Sequence, residues 1–169
     1  MKTNKVLVVL GVVLLAFSLT NLVVAQDKAT AQEVVAKVKE AASALSKTGD
    51  LAQFNQKPSP WVWKDTYIFV VDCNKKVFAA HPIKAELIGQ DIMSVKDTKG
   101  NTFLGAACEA TKKASGVWVE YWWAKPGEKE GSRKVSYFVS AANTPYVVGA
   151  GIYDDKATLA ELKKTTGTE

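Results

Sequence analysis

Residues able to do acid–base, nucleophilic or metal chemistry are few in this chain. It holds one histidine, His81, and two cysteines, Cys73 and Cys108, in 169 residues. A lone histidine cannot build a multi-histidine metal site. Asp72-Cys73-Asn74 lacks the later oxygen ligands of a calcium loop and reads as a turn. There is no Gly-x-Ser-x-Gly elbow, His-Glu-x-x-His pair, phosphate-binding loop or dinucleotide fingerprint. One nucleophilic arrangement remains, Cys73 with His81, but no oxyanion or orienting motif accompanies it. The sequence therefore points away from an enzyme and implies no cofactor and no metal.

What these residues suit is binding. His81, Lys134, Ser136 and the tyrosines Tyr67, Tyr121 and Tyr137 fall on segments that read as neighbouring strands, and Trp123 follows Tyr121 on the same face. A desolvated carboxylate needs an opposite charge and several hydrogen bonds. An ammonium with imidazole and phenol donors in an aromatic-walled pocket supplies both. The expected ligand-binding set is Tyr67, His81, Tyr121, Trp123, Lys134, Ser136 and Tyr137, with a small carboxylate as the partner molecule. A plainer reading of His81 is a strand-end histidine satisfied within the protein.

Strands must hold those groups. Val117–Ala124 is almost wholly aromatic and β-branched, which suits a pleated surface. Arg133–Ala141 and Pro145–Tyr153 follow through short links with Pro, Gly or Asn, so the three strands form an antiparallel meander. Glu120 prefers water, which turns Tyr121 and Trp123 inward and sends Trp118 and Trp122 to the other face. On the next strand Lys134, Ser136 and Phe138 oppose Val135, Tyr137 and Val139. The apolar set can lie on a helix, leaving Lys134 and Ser136 toward the pocket. Upstream, Thr66–Val71 and Lys76–Ala80 make a hairpin around Asp72–Lys75. His81-Pro82 ends its return strand, since proline donates no ladder bond and forces its predecessor to be extended.

Residues 26–53 read as a long helix. Thr30 and Glu33 have capping-box spacing, Val34, Val38, Ala41 and Leu45 form one apolar stripe, and Gly49 is a natural stop. Sustained heptads are missing, so the stripe is expected to lie on a sheet. Thr102–Ser115 reads as a second helix closed by Gly116. Residues 82–116 then form an irregular lid over the other sheet face, where a small molecule would bind. Lys156–Thr165 makes a tail of one or two helical turns. The expected fold class is α+β: a long N-terminal helix on a curved five-stranded antiparallel sheet, with a helical and irregular lid.

Lys2 and Lys5 precede the apolar run Val6–Phe17, and Val23-Val24-Ala25 has cleavage-site form. Residues 1–25 are expected to be a signal peptide cut after Ala25, giving a periplasmic or secreted protein. An uncleaved anchor is the alternative, because residues 18–25 extend the run to roughly 20. The formal charge of +5 falls to +3 without Lys2 and Lys5, and the lysines are scattered. That is a solubilising surface, not a nucleic-acid footprint. Two cysteines in an exported chain suggest one disulfide, Cys73 to Cys108, stapling the second helix to the sheet. Closing about 35 residues would contribute ~3–4 kcal/mol in the chain-entropy account.

Several short motifs, in order, resemble a single Cache domain, most closely its second single-Cache group. They are Tyr67-Ile-Phe-Val-Val-Asp72, Ala80-His81-Pro82 and Ile88-Gly89-Gln90-Asp91, then Gly116-Val-Trp-Val-Glu-Tyr121-Trp, Lys134-Val-Ser-Tyr137 and Val147-Val-Gly149-Ala-Gly151-Ile-Tyr153. The resemblance implies a PAS-like fold over residues 26–155, followed by a C-terminal tail over 156–169. It also implies an extracytoplasmic sensor of small molecules, of the kind joined to chemoreceptors, histidine kinases or cyclases. No signalling domain follows in this sequence, so a stand-alone exported form is expected, with a membrane receptor or a homodimer as its partner. A structural or interaction protein is the alternative, with Trp118 and Trp122 as its exposed patch.

Overall fold

The computed structural model of the protein describes residues 27–168. The expected leader and its cleavage point lie outside them. Thr30 starts helix α1 (Ala31–Thr48). Its hydroxyl accepts from the Glu33 N–H, and the Glu33 carboxylate accepts from the Thr30 N–H, the expected capping box. Gly49 stops the helix at φ 65°, a left-handed geometry that costs a residue without Cβ little. Cap and glycine thus set bounds tighter than the 26–53 run of helix formers. Val34, Val38, Ala41 and Leu45 are fully buried along one stripe.

The strands are β1 (Val62–Trp63), β2 (Thr66–Tyr67), β3 (Phe69–Asp72), β4 (Val77–Ala80), β5 (Val117–Ala124), β6 (Gly131–Ser140) and β7 (Tyr146–Tyr153). Five of them form one antiparallel sheet in the order β4-β3-β7-β6-β5, as expected for this fold class. The meander is intact, and β3 joins it beside β7. Thr66–Val71, expected as one strand, is two. The Ile68 N–H donates to the Trp61 carbonyl, drawing β2 into a small hairpin with β1. Thr66 Oγ1 bonds the Gly151 carbonyl from there.

Helix α2 (Leu104–Thr111) is shorter than the expected Thr102–Ser115. The Thr111 hydroxyl turns back onto the Ala107 and Cys108 carbonyls, and Lys112 is the C-cap. Gly116 therefore does not close the helix. A Cβ there would stand 2.0 Å from the Tyr137 hydroxyl, so the glycine makes room for that side chain. The Cys73–Cys108 disulfide is present, with Cα atoms 5.8 Å apart, and ties α2 to the end of β3.

Residues 82–116 cover one sheet face and both its edges. Val77 bridges to Asp91 and Phe78 to Ile88, which shields the outer side of β4. At the opposite edge Asp97 holds a turn: Oδ1 accepts from the Lys99 and Asn101 N–H groups, and Oδ2 accepts from the Trp122 N–H of β5. The C-terminal turns are helix α3 (Leu159–Thr166), opened by a Thr158–Glu161 capping box. Leu162 joins the core beneath α1, and the Trp118 indole N–H donates to Thr168 Oγ1. Trp118 is buried, and Trp122 is half-buried with the Lys99 ammonium 3.2 Å from its ring centre. The exposed tryptophan patch imagined for an interaction protein is not formed.

Candidate functional site

Period-two alternation sends one set of side chains from every strand toward the lid. Phe69 and Val71 of β3, Phe78 of β4, Tyr121 and Trp123 of β5 and Phe138 of β6 form this second core. On β7 the same face carries Gly149 and Gly151. A Cβ at Gly149 would lie 2.7 Å from Phe69 Cζ, and one at Gly151 would lie 2.2 Å from Ser136 Oγ. Two glycines in the central strand therefore let the aromatic rings and Ser136 lie down on the sheet.

A cavity of about 10 Å3, room for one water molecule, lies between Tyr67, Phe69, Phe78, His81, Phe103, Tyr121 and Trp123. Four of the expected site residues meet there: Tyr67, His81, Tyr121 and Trp123. Lys134 and Ser136 stand beside the cavity on the same face. The Tyr121 hydroxyl is 2.8 Å from Ser136 Oγ. The Lys134 ammonium lies 4.2 Å from the Tyr67 ring centre, 4.8 Å from that of Tyr153 and 5.8 Å from that of Phe69. Tyr137 is not in the site. It belongs to the α1 side, beside Trp118 at 5.2 Å between ring centres, because its parity on β6 is that of Val135.

Lys134 sets the electrostatics. Its residue is completely buried, and Nζ has no hydrogen-bond partner among the described residues. Burial pulls its pKa down to about 7, with Asp65 opposing and Lys84 assisting that shift. Among the described residues Trp63 Nε1 is the other buried side-chain nitrogen or oxygen without a partner, but it is neutral. An unpaired buried cation is far costlier than an unpaired indole.

His81 is fixed at the end of β4. Its N–H donates to Asn55 Oδ1, and its Nδ1 accepts from the Ile83 and Lys84 N–H groups at 3.3 and 3.0 Å. Pro82 follows it, so the chain turns back and brings those two donors onto the ring. Desolvation, then the charges of Lys134 and Lys84, drop its pKa to about 3. The ring is neutral at ordinary pH with its proton on Nε2, which makes it a donor without charge. Burial likewise raises the pKa of Tyr67, Tyr121 and Tyr153, so all three phenols stay protonated. The Tyr153 hydroxyl donates to the Ala124 carbonyl. At the rim the Lys84 ammonium lies 4.5 Å from the Trp123 ring centre.

Sequence reasoning misses Phe69, Phe78 and Phe103. Phe69 stands two residues from Tyr67, so strand alternation alone would have found it. Phe103 carries no comparable signal, since helical periodicity does not say which end of a lid helix meets the sheet. Among the described residues no group of three or more His, Cys, Asp or Glu is placed to hold a metal ion. None of their helices is long and apolar enough to cross a membrane.

Comparison with known proteins agrees with this geometry. Over 92 residues the chain is 34% identical to sensor histidine kinase MctS of Rhizobium johnstonii, covering 54% of this chain and 20% of that kinase. It thus spans about a fifth of that relative's length. A periplasmic sensor domain of a chemotaxis protein superposes with a TM-score of 0.54 at 20% identity, over 74% of this chain and 90% of the other. A Cache chemosensory domain solved for its carboxylic acid recognition gives 0.55 at 25% identity, over 74% and 86%. A methyl-accepting chemotaxis protein from Vibrio parahaemolyticus gives 0.52 at 21% identity, over 72% and 81%. Residues 62–158, more than half of the chain, match the Cache domain, and the chain belongs to that family.

Proposed function

We propose that the protein is an extracytoplasmic receptor module for a small monocarboxylate. The observation that carries this reading is the buried Lys134 ammonium without a hydrogen-bond partner among the described residues, beside a neutral histidine. One negative charge on a short apolar tail complements that arrangement. A carboxylate oxygen meets Lys134, and the second accepts from His81 Nε2–H, since Nδ1 is taken by backbone donors. Tyr67 and Tyr121 are further phenol donors, and Phe69, Phe78 and Trp123 form the wall for the tail. A dicarboxylate would bring a second charge into an aromatic interior that holds one ammonium. An amine would add a like charge.

The family supports the sensing role, and a solved relative that recognises carboxylic acids supports the ligand class. In this reading residues 1–25 are a cleaved leader, residues 26–155 are the sensor and residues 156–169 are its tail. Output passes through a membrane receptor or a second copy. The protein binds and reports without catalysing a reaction.

The test is a thermal-shift screen of the protein against monocarboxylates, dicarboxylates, amino acids and amines. A ligand at 100 times its Kd adds ~2.7 kcal/mol, a shift of several degrees in a domain this size. Lys134→Ala should weaken the best acid ~10–100-fold, the worth of a charged hydrogen bond. Shifts with amines and none with acids would overturn the reading, as would unchanged affinity in Lys134→Ala.

A further inference from the structure

The cavity is smaller than the ligand class its walls suit. About 10 Å3 admits one water, whereas a carboxylate with even one carbon behind it needs several times that room. Some wall must yield, and the walls are not equally free to move. Among the described residues lining the space, Tyr67, Phe69, Phe78, Tyr121 and Trp123 stand on strands, and His81 is held at the end of β4 by Asn55 and two backbone donors. A backbone shift at any of them would break ladder or anchoring hydrogen bonds, so each can yield by rotating its side chain alone. Phe103 is the exception, because it comes from the lid.

Phe103 lies between two anchors. Asp97 accepts from the Trp122 N–H on its N-terminal side, and Cys108 is bonded to Cys73 on its C-terminal side. At the start of α2 itself no side chain caps the helix. What holds the ring is its own contact. It stacks on Tyr121 with ring centres 3.8 Å apart and planes 10° apart, and meets Trp123 edge-on at 6.0 Å. We infer that Phe103 is the size gate of the site: its ring gives way to the ligand, whose tail takes over the face of Tyr121. The residue at position 103 then sets how long a tail the site accepts. This rests on the carboxylate reading above and assigns its size selectivity to one lid residue.

The test uses protein expressed from the full sequence, as wild type and as Phe103→Ala, Phe103→Leu and Phe103→Trp. Calorimetry gives Kd for acetate, propionate, butyrate, pentanoate and hexanoate. The quantity read is the ratio of hexanoate to acetate affinity within each protein, which does not depend on how much of a weakened variant is folded. Removing the ring should raise that ratio at least ~10-fold in Phe103→Ala, the worth of about two newly accommodated methylenes, with Phe103→Leu between. Phe103→Trp should lower it. A ratio that stays within about twofold of wild type in both smaller variants overturns the gate and leaves the carboxylate reading standing. If wild type binds no acid and Phe103→Ala binds the longer ones, the gate is supported. If neither protein binds any acid, both readings fall.

Discussion

Against α1 the five-stranded sheet buries Val70, Val135, Val148 and Ala150, while against the lid it buries Lys134, Ser136 and the rings of Phe69, Phe78, Tyr121, Trp123 and Phe138. On the first face the Trp118 indole donates to Thr168 and that of Trp61 donates to Gln53, while the tip left without a partner, Trp63 Nε1, carries no charge. On the second face an ammonium is held among rings without a hydrogen-bond partner among the described residues. The α1 face gains from the burial of its apolar side chains. The lid face gives up stability at Lys134, where an apolar residue of similar length would fit with less cost. Such a cost is expected where a charge has a use beyond the fold, and the difference separates what makes this domain stable from what makes it selective.

The largest expected effect tests the α1 face. Leu45→Ala deletes a fully buried side chain from the helix stripe and should cost ~2–5 kcal/mol. Urea denaturation would show it as a lower midpoint. Acid affinity, measured well below that midpoint, should stay within about twofold of wild type. A large loss of affinity would mean that the two faces are coupled through the sheet.

Next comes the reverse substitution. Lys134→Met keeps the stem and removes the charge. At pH 7 it should raise stability by ~1–4 kcal/mol while carboxylate binding falls ~10–100-fold. A variant that is both less stable and still competent would reverse the assignment of Lys134 to binding.

pH sharpens the same comparison, because the shifted bases lie on the lid face. With a folded pKa near 7 against 10.5 ordinarily, Lys134 sheds its proton in the fold while the unfolded chain keeps it. Stability therefore rises from about pH 7 to 10.5 on its account. Ligand affinity moves the other way, since the carboxylate needs the ammonium. It should fall ~50-fold from pH 7 to pH 9 and level off below pH 6. His81, at about 3 against 6.5, adds stability that is complete above pH 6.5 and lost as pH drops toward 3. A flat affinity between pH 7 and 9 would remove Lys134 from the ligand's contacts.

Much of this was legible because β-structure writes its faces into the chain. Glu120 alone orients β5, and that parity places Tyr121, Trp123 and Trp118 where the structure has them. On β6 the same rule puts Lys134 and Ser136 on one face and Tyr137 on the other. Tyr137 enters the expected site only on residue type, against its parity, and Gly116 accommodates its hydroxyl on the α1 side. The break at Ile68 was illegible, since it depends on a tertiary bond to the Trp61 carbonyl. The small volume of the cavity was also out of reach, for it follows from how far Phe103 leans onto Tyr121. The second capping box, Thr158 to Glu161, was legible by the spacing that reveals Thr30 and Glu33, and it defines α3.

The smallest predicted effect concerns that last helix. Thr158 accepts from the Glu161 N–H, and Leu162 is 5% exposed against the helix-side core. Thr158→Ala leaves one N-terminal donor unmet and should cost ~1 kcal/mol, a few degrees in Tm. Fraying α3 loosens the cover over Trp118, whose indole N–H then loses Thr168. Hydrogen exchange should speed up in residues 158–168 and at the Trp118 end of β5, while amides around His81 and Lys134 keep their protection. If the lid-side amides loosen as well, α3 supports the binding face through β5, and the separation between a stabilising face and a selective face would have to be redrawn at that strand.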